Sequence, residues 1–269
     1  MTYNYIENYL NEILAKGRYD VTLAELRDRF DSSEKAIKQG IYRLKSKKKL
    51  AQIRRGFYAI VAPQYSDWGM IPFYMFIDDL MKYLNREYYI GLISAAAIHG
   101  AAHQQPMQFQ VITKKPALSN MENSKWKIRF FVKSKWRDSD IVEKKTRVGY
   151  INVSSPSLTA FDLVHYSKSN IGMDSVITIL EELVESIKPS ELNKTAIGQK
   201  VPDIQRLGYL LEQLGNEKLA SVLFKRKARE PLKGIPISIG DKKREGAFDN
   251  KWNVIINTEL DFECFQDDT

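Results

Sequence analysis

From Lys35 to Arg55 the chain carries nine Lys or Arg residues and not one acid. The run reads KAIKQGIYRLKSKKKLAQIRR. Its first half has apolar residues at helical spacing. Its middle is a knot of three lysines, and its end has the pattern of a short strand pair that turns at Arg54-Arg55-Gly56. Helix, basic turn and β-hairpin in that order constrain the fold strongly, because they are the recognition helix and wing of a winged helix-turn-helix. Positive charge on those parts suits a duplex.

The preceding residues complete such a module. Ile6, Tyr9, Leu10, Ile13 and Leu14 recur at helical spacing, and Lys16-Gly17 ends that helix with a left-handed glycine cap. Val21 reads as a short extended residue. Thr22 caps a second helix whose buried face is Leu23, Leu26 and Phe30. Asp31-Ser32-Ser33 makes a turn, and either serine can cap the third helix. On that helix Ile37, Ile41 and Leu44 face inward, which leaves Lys35, Lys38, Gln39, Tyr42, Arg43 and Lys45 on the other face.

A helix in the major groove needs donors for base edges and cations for phosphates. Gln39 matches adenine and Arg43 matches guanine, each by a bidentate pair. Lys35, Lys38 and Lys45 suit phosphate contacts that fix register without reading sequence. Ser33 and Tyr42 join them as candidate DNA contacts. Leu50–Ile53 and Phe57–Val61 form the wing, and Arg54 and Arg55 at its tip reach phosphate or a minor groove. Gly56 supplies the positive φ of the turn. The competing reading, a Lys-rich face that is merely solvated, does not explain why the parts come in this order.

Charge is distributed in keeping with this. Residues 1–62 hold 13 basic and 7 acidic side chains, a local +6 out of a net +8 for all 269 residues. The stretch from Glu259 to Asp268 is acidic. We therefore expect a winged helix-turn-helix DNA-binding domain over residues 1–65 and a larger domain over 66–269. Pro63 to Pro72, polar and with two prolines, reads as the linker. Cys264 is the single cysteine, so no disulfide can form within the chain. Met1-Thr2-Tyr3-Asn4-Tyr5 has no signal-peptide pattern, and the longest apolar stretch, Ile90 to Ala102, is too short to span a bilayer. The expectation is a cytoplasmic protein without a membrane partner.

The larger domain reads as mixed α+β. Helical patterns cover Tyr74 to Leu84, Leu92 to Ile98 with Gly100 as its end, SLTAFDLVHY after Ser154-Ser155-Pro156, MDSVITILEELVESI, DIQRLGYLLEQLG with Gly215 as its cap, and Asn216 to Ala228. Alternation marks strands through Met107, Phe109 and Val111, through Trp126, Ile128, Phe130 and Val132, and over Val148 to Val153. IPISI and WNVII close the chain. Strands and helices are partly segregated, which favours α+β over a wound α/β sheet.

Chemistry is sparse. His99 and His103 are spaced for one helical face, but Gly100 breaks the helix between them, and no Cys or paired carboxylate completes a metal site. His165 follows Asp162 on another helix. Glu143-Lys144-Lys145 has the E-x-K form of a nuclease motif, a form that a Lys-rich chain reaches by chance. No phosphate-binding glycine loop and no nucleophile elbow is present. Lys225 to Arg229, with Lys233, could extend a DNA footprint, but reads better as the polar face of a helix whose Leu219, Val222 and Leu223 are buried. No enzyme activity, cofactor or metal is expected.

Several segments taken together resemble the abortive-infection antitoxins of the AbiE type, transcriptional regulators of viral defence. They are RRGFYAI, YYIGLISAAAIHGAA, YINVSSPSLTAFDLVHY, IQRLGYLLEQLG and KWNVIIN, and they run nearly end to end. The resemblance implies the antitoxin of a type IV toxin–antitoxin phage-defence system. Such a protein represses its own operon by binding inverted-repeat DNA and opposes a nucleotidyltransferase-like toxin without needing to bind it. The resemblance also marks Tyr89, Ser94, His99, Gly100, Thr159, Asp162, Leu163, Arg206, Leu207 and Gly208 as motif positions. Of these, His99, Asp162 and Arg206 are the candidate functional polar groups. The alternative is a ligand-responsive winged-helix repressor without a toxin partner.

Overall fold

The structure is a computed structural model that describes residues 2–101, 108–124, 126–169, 171–227, 233–239, 245–260 and 262. In chain order the helices are α1 (Thr2–Ala15), α2 (Leu23–Arg29), α3 (Glu34–Ser46), α4 (Ile77–Tyr83), α5 (Leu92–Ile98), α6 (Pro156–His165), α7 (Met173–Leu183), α8 (Pro189–Ala196), α9 (Val201–Gln213) and α10 (Glu217–Lys227). The strands are β1 (Asp20–Thr22), β2 (Leu50–Arg54), β3 (Phe57–Ile60), β4 (Tyr88–Ile90), β5 (Phe109–Thr113), β6 (Met121–Glu122), β7 (Lys127–Val132), β8 (Ile141–Lys145), β9 (Tyr150–Ser154), β10 (Ile235–Pro236), β11 (Ala247–Asp249) and β12 (Val254–Ile256). They form sheets in the orders β1-β3-β2, β6-β7-β5-β4-β9-β8 and β10-β12-β11. The fold is mixed α+β, as the sequence pattern predicts. Two compact units divide the chain, one of residues 1–88, 113–132 and 143–152, the other of the remainder.

The first unit begins with helices that the sequence caps locally. Thr22 Oγ1 accepts from the Glu25 amide at 3.1 Å and starts α2, and Ser33 Oγ accepts from the Ala36 amide at 3.3 Å and starts α3. Each bond satisfies one of the orphan donors of a helix start. Gly17, at φ +77, follows α1. The three helices bury one common core: Ile6, Leu10 and Ile13 of α1, Leu26 of α2, and Ile37, Ile41 and Leu44 of α3, with Val21, Leu50, Tyr58 and Ile60 from the sheet. β3 pairs antiparallel with β1, Val21 opposite Tyr58, and with β2, Ala51 opposite Ala59. The register shifts between Gln52 and Arg54, so the turn after β2 is entered through a bulge.

One expectation in this unit is overturned. Pro63 to Pro72 is not a bare linker. Pro63–Tyr65 forms a 3-10 turn, and Met70 and Ile71 are buried. Two apolar side chains among polar neighbours give no periodicity, so their burial is set by tertiary packing. Phe73–Met75 is likewise a short 3-10 turn, and α4 starts only at Ile77.

In the second unit, Ser155 Oγ accepts from the Leu158 amide at 3.2 Å, with Pro156 at the first turn of α6. Ile90 of β4 pairs parallel with Val153 of β9. A helix such as α6 that buries Leu158, Ala160, Phe161, Asp162, Leu163 and Val164 has no solvated face to speak of, which marks it as the central helix. β4, α8 and β11 are elements that the sequence pattern does not announce. The expected strand residue Met107 lies outside the described residues.

Asp20 on β1 makes the first unit sensitive to acid in an unusual direction. Its side chain is 8% exposed, Oδ1 accepts no hydrogen bond among the described residues, and Arg18 Nε stands 3.4 Å away. Burial, then the like charge of Asp79, push its carboxyl up to about 6, against the weaker pull of Arg18. The folded state therefore binds this proton more tightly than the unfolded chain does. Its contribution is fully present below the unfolded value near 3.8 and is lost as pH rises through about 6. Urea unfolding at pH 4 and pH 7 should show the wild type losing about 2–3 kcal/mol relative to Asp20→Asn on going to pH 7. Parallel pH profiles for the two proteins would contradict this.

Candidate functional site

Burial of Ile37, Ile41 and Leu44 turns the opposite face of α3 to solvent. Glu34, Lys35, Lys38, Gln39, Tyr42 and Arg43 line one open concave surface there. Tyr42 is 71% exposed, an unusual position for a large ring. Among the described residues the side chains of Lys35, Gln39, Tyr42 and Arg43 bond to no other side chain. Others on this face do. Lys38 Nζ lies 2.9 Å from Glu34 Oε1, and Arg27 Nη2 of α2 lies 2.6 Å from the same oxygen. These two cations, Lys38 first, hold the Glu34 carboxyl below its ordinary value. Lys45 Nζ donates to Gln52 Oε1 of β2 at 2.6 Å. In the lysine knot, Lys49 pairs with Glu7 of α1. Ser33 uses its oxygen as the cap acceptor for α3, so its hydroxyl hydrogen stays available to an acceptor.

Arg54 and Arg55 sit at a tight turn. Gly56 is buried at φ +84, a value that disfavours any side chain. Its carbonyl accepts from the Leu23 amide at 2.8 Å, and the Arg55 carbonyl accepts from the Tyr83 hydroxyl at 3.3 Å. A Cβ at position 56 would lie 2.6 Å from the Tyr83 oxygen. The Tyr83 ring also packs on Phe57, centroids 5.4 Å apart. Arg55 is exposed and Arg54 is half-buried. Tyr83 was not legible as a partner of this turn, since nothing in the sequence links residues 28 apart.

The three polar motif residues lie in the second unit, and each bonds inward. Asp162 is fully buried on α6. Its Oδ2 accepts from the Tyr89 hydroxyl at 2.7 Å and its Oδ1 from Lys133 Nζ at 2.6 Å, while Lys133 also reaches Gln199 at 3.2 Å. Burial, then the charge of Asp162, push the Tyr89 phenol well above its ordinary value, so it remains a donor. The edge of one ring meets the face of the other where Tyr89 packs with Trp136, 5.1 Å between centroids. His99, the C-cap of α5, sets Nε2 2.7 Å from the Ser154 carbonyl, which can only accept, so that nitrogen carries the hydrogen. Ser154 Oγ lies 2.7 Å from Thr159 Oγ1. Arg206 Nε donates to the Pro236 carbonyl at 2.9 Å, and Nη1 lies 3.6 Å from Asp203, whose other oxygen is 2.7 Å from His165 Nδ1. Gly208 is required by packing, because a Cβ there would lie 2.0 Å from the ring of the buried Trp252. Lys133 escaped sequence reasoning, standing as one lysine among many.

Other candidate groups do not converge on chemistry. Asp140 is buried and accepts from Thr195 at 2.8 Å, and Glu143 and Lys145 are exposed on β8. Among the described residues no group of three or more His, Cys, Asp or Glu could hold a metal ion. No helix among them is long and apolar enough to cross a membrane. His103, Arg229 and Cys264 lie outside the described residues.

Residues 89–213 match the family model described as AbiEi antitoxin C-terminal domain. That stretch of the chain is an AbiEi-type antitoxin domain. The matched stretch begins at Tyr89 and takes in His99, Lys133, Asp162 and Arg206, so the bonds of Asp162 and His99 described above lie within it, while Arg206 reaches Pro236 beyond its end. The fold of the whole chain is similar to that of the crystal structure of the RV2827C protein from Mycobacterium tuberculosis. The TM-score is 0.68 at 14% identity, over 93% of this chain and 90% of that one. No curated protein matches the sequence.

The Asp162 bonds can be weighed directly. Lys133→Met leaves a fully buried carboxylate with one neutral donor, and breaking a buried pair in this way costs about 3–5 kcal/mol. Urea denaturation should show that loss, and adding Asp162→Asn to Lys133→Met should recover part of it. A loss below about 1 kcal/mol would mean the pair is solvent-screened, as exposed pairs are.

Proposed function

We propose that this antitoxin is a DNA-binding autorepressor, with a winged helix-turn-helix in residues 1–65 and the antitoxin function in residues 66–269. α3 is its recognition helix and the β2–β3 turn its wing. The observation that carries the reading is the single face of α3 on which Lys35, Gln39, Tyr42 and Arg43 stand exposed beside one another. Gln39 and Arg43 have the donors to read adenine and guanine edges. Ser33, Lys35, Lys45, Arg54 and Arg55 are assigned to the backbone, Lys38 to a weaker backbone contact because Glu34 already holds it, and Tyr42 packs its ring against the groove. The target is double-stranded operator DNA with inverted repeats upstream of its own operon, read in the cytoplasm. Through its second function the protein counteracts a nucleotidyltransferase-like toxin, in a type IV arrangement that does not depend on direct binding. The match of residues 89–213 to the AbiEi antitoxin C-terminal domain supports the antitoxin role. The inward bonds of His99, Asp162 and Arg206 support a non-catalytic role for those three, because each is occupied in holding elements together.

Two measurements test this. In gel shifts on the upstream duplex, Arg43→Ala should weaken binding by about 1–3 kcal/mol and relax preference at one base pair. Lys35→Ala should weaken all duplexes alike and flatten the salt slope by about one ion. Absence of any shift with the wild type would end the DNA reading. In cells, co-expression with a nucleotidyltransferase-like gene of the same operon should restore growth, and the Gln39→Ala, Arg43→Ala double variant should still protect while losing repression. Absence of such a gene from the operon would favour a ligand-responsive repressor without a toxin.

A further inference from the structure

Glu34 is the one acid in the surface formed by Lys35, Lys38, Gln39, Tyr42 and Arg43. It sits in the first turn of α3, where its charge favours the helix. Its contacts reach further than a helix start needs. One oxygen, Oε1, takes Lys38 from the next turn of α3 at 2.9 Å and Arg27 from α2 at 2.6 Å. A carboxylate that gathers a lysine and an arginine from two helices copies what a DNA phosphate would do at the same place.

We propose that Glu34 is an internal phosphate mimic that competes with the duplex for Arg27 and Lys38 and so lowers sequence-independent affinity. The proposal rests on the DNA-binding reading given above and adds the regulation of that same surface. Affinity for any duplex rises with the number of phosphates that cations neutralise. Two cations that share one carboxylate carry a net charge of only one between the three groups, so they release fewer counterions on binding than two free cations would. Lys35 and Arg43 on the same face have no such partner, so they supply the contacts while Lys38 is restrained. The consequence is a reader with fewer effective charges than its sequence suggests, one that is less readily trapped on non-operator DNA.

The test is a double-mutant cycle on a mixed-sequence duplex, read as affinity against salt concentration with the full chain. Glu34→Gln should tighten binding several-fold and steepen the salt slope by about one to two ions. The added positive charge alone would tighten binding somewhat, so Lys38→Ala decides. It should cost little in the wild type and several-fold more in the Glu34→Gln background. Equal costs in both backgrounds overturn the proposal and leave the DNA reading intact. A wild type that binds no duplex even at low salt removes both. Melting curves on each variant establish that all four proteins are folded at the temperature of the titration.

Discussion

Close packing of α1 on α3 orders everything that the first unit presents. At Gly40 a Cβ would lie 2.7 Å from Ile6 Cδ1, so the two helices meet where one of them has no side chain. Ile37, Ile41 and Leu44 are pinned on that side, and the helical period then leaves no choice for the rest. Lys35, Lys38, Gln39, Tyr42, Arg43 and Lys45 must point outward. The cationic face is thus a product of the core, not a feature added to it.

The second unit uses polar groups for a similar purpose. Burying Asp162 without partners would be prohibitive, and Tyr89 and Lys133 meet its two oxygens. His99 and Arg206 bond to main-chain carbonyls, which themselves need partners when buried. Motif residues that look reactive in a sequence are here fasteners between elements. That accounts for their place in the antitoxin domain without assigning them chemistry.

Legibility in the sequence followed the range of the interactions. α1, α2 and α3 were readable because caps and apolar spacing act within a few residues, and Thr22 and Ser33 lie at the caps the sequence suggests. The Ser155-Pro156 start of α6 was readable for the same reason. β4 was not, because Tyr88-Tyr89-Ile90 is buried throughout and merges with the apolar run of α5. α8 was hidden by its polar composition. The partners of Asp162 lie 73 and 29 residues away in the chain, and no periodicity reports such a pairing. On α3 the i, i+4 spacing of Glu34 and Lys38 was in plain view, whereas the second cation, Arg27, comes across a turn. Counting charges along the chain therefore overstates how many of them face solvent unopposed.

The turn at Arg54-Arg55-Gly56 has a consequence of its own. Its carbonyls are held by the Leu23 amide and the Tyr83 hydroxyl, from two different helices. A hairpin tip tied at both peptide units has surrendered its backbone freedom during folding. Fixing a residue's backbone costs about 1–2 kcal/mol, and here that entropy is spent before any anion arrives. What meets the arginines has only their side chains left to order. A small, taut hairpin tip of this kind trades reach for readiness: its backbone cannot wrap around an anion, but an anion that met it would have only side chains to order.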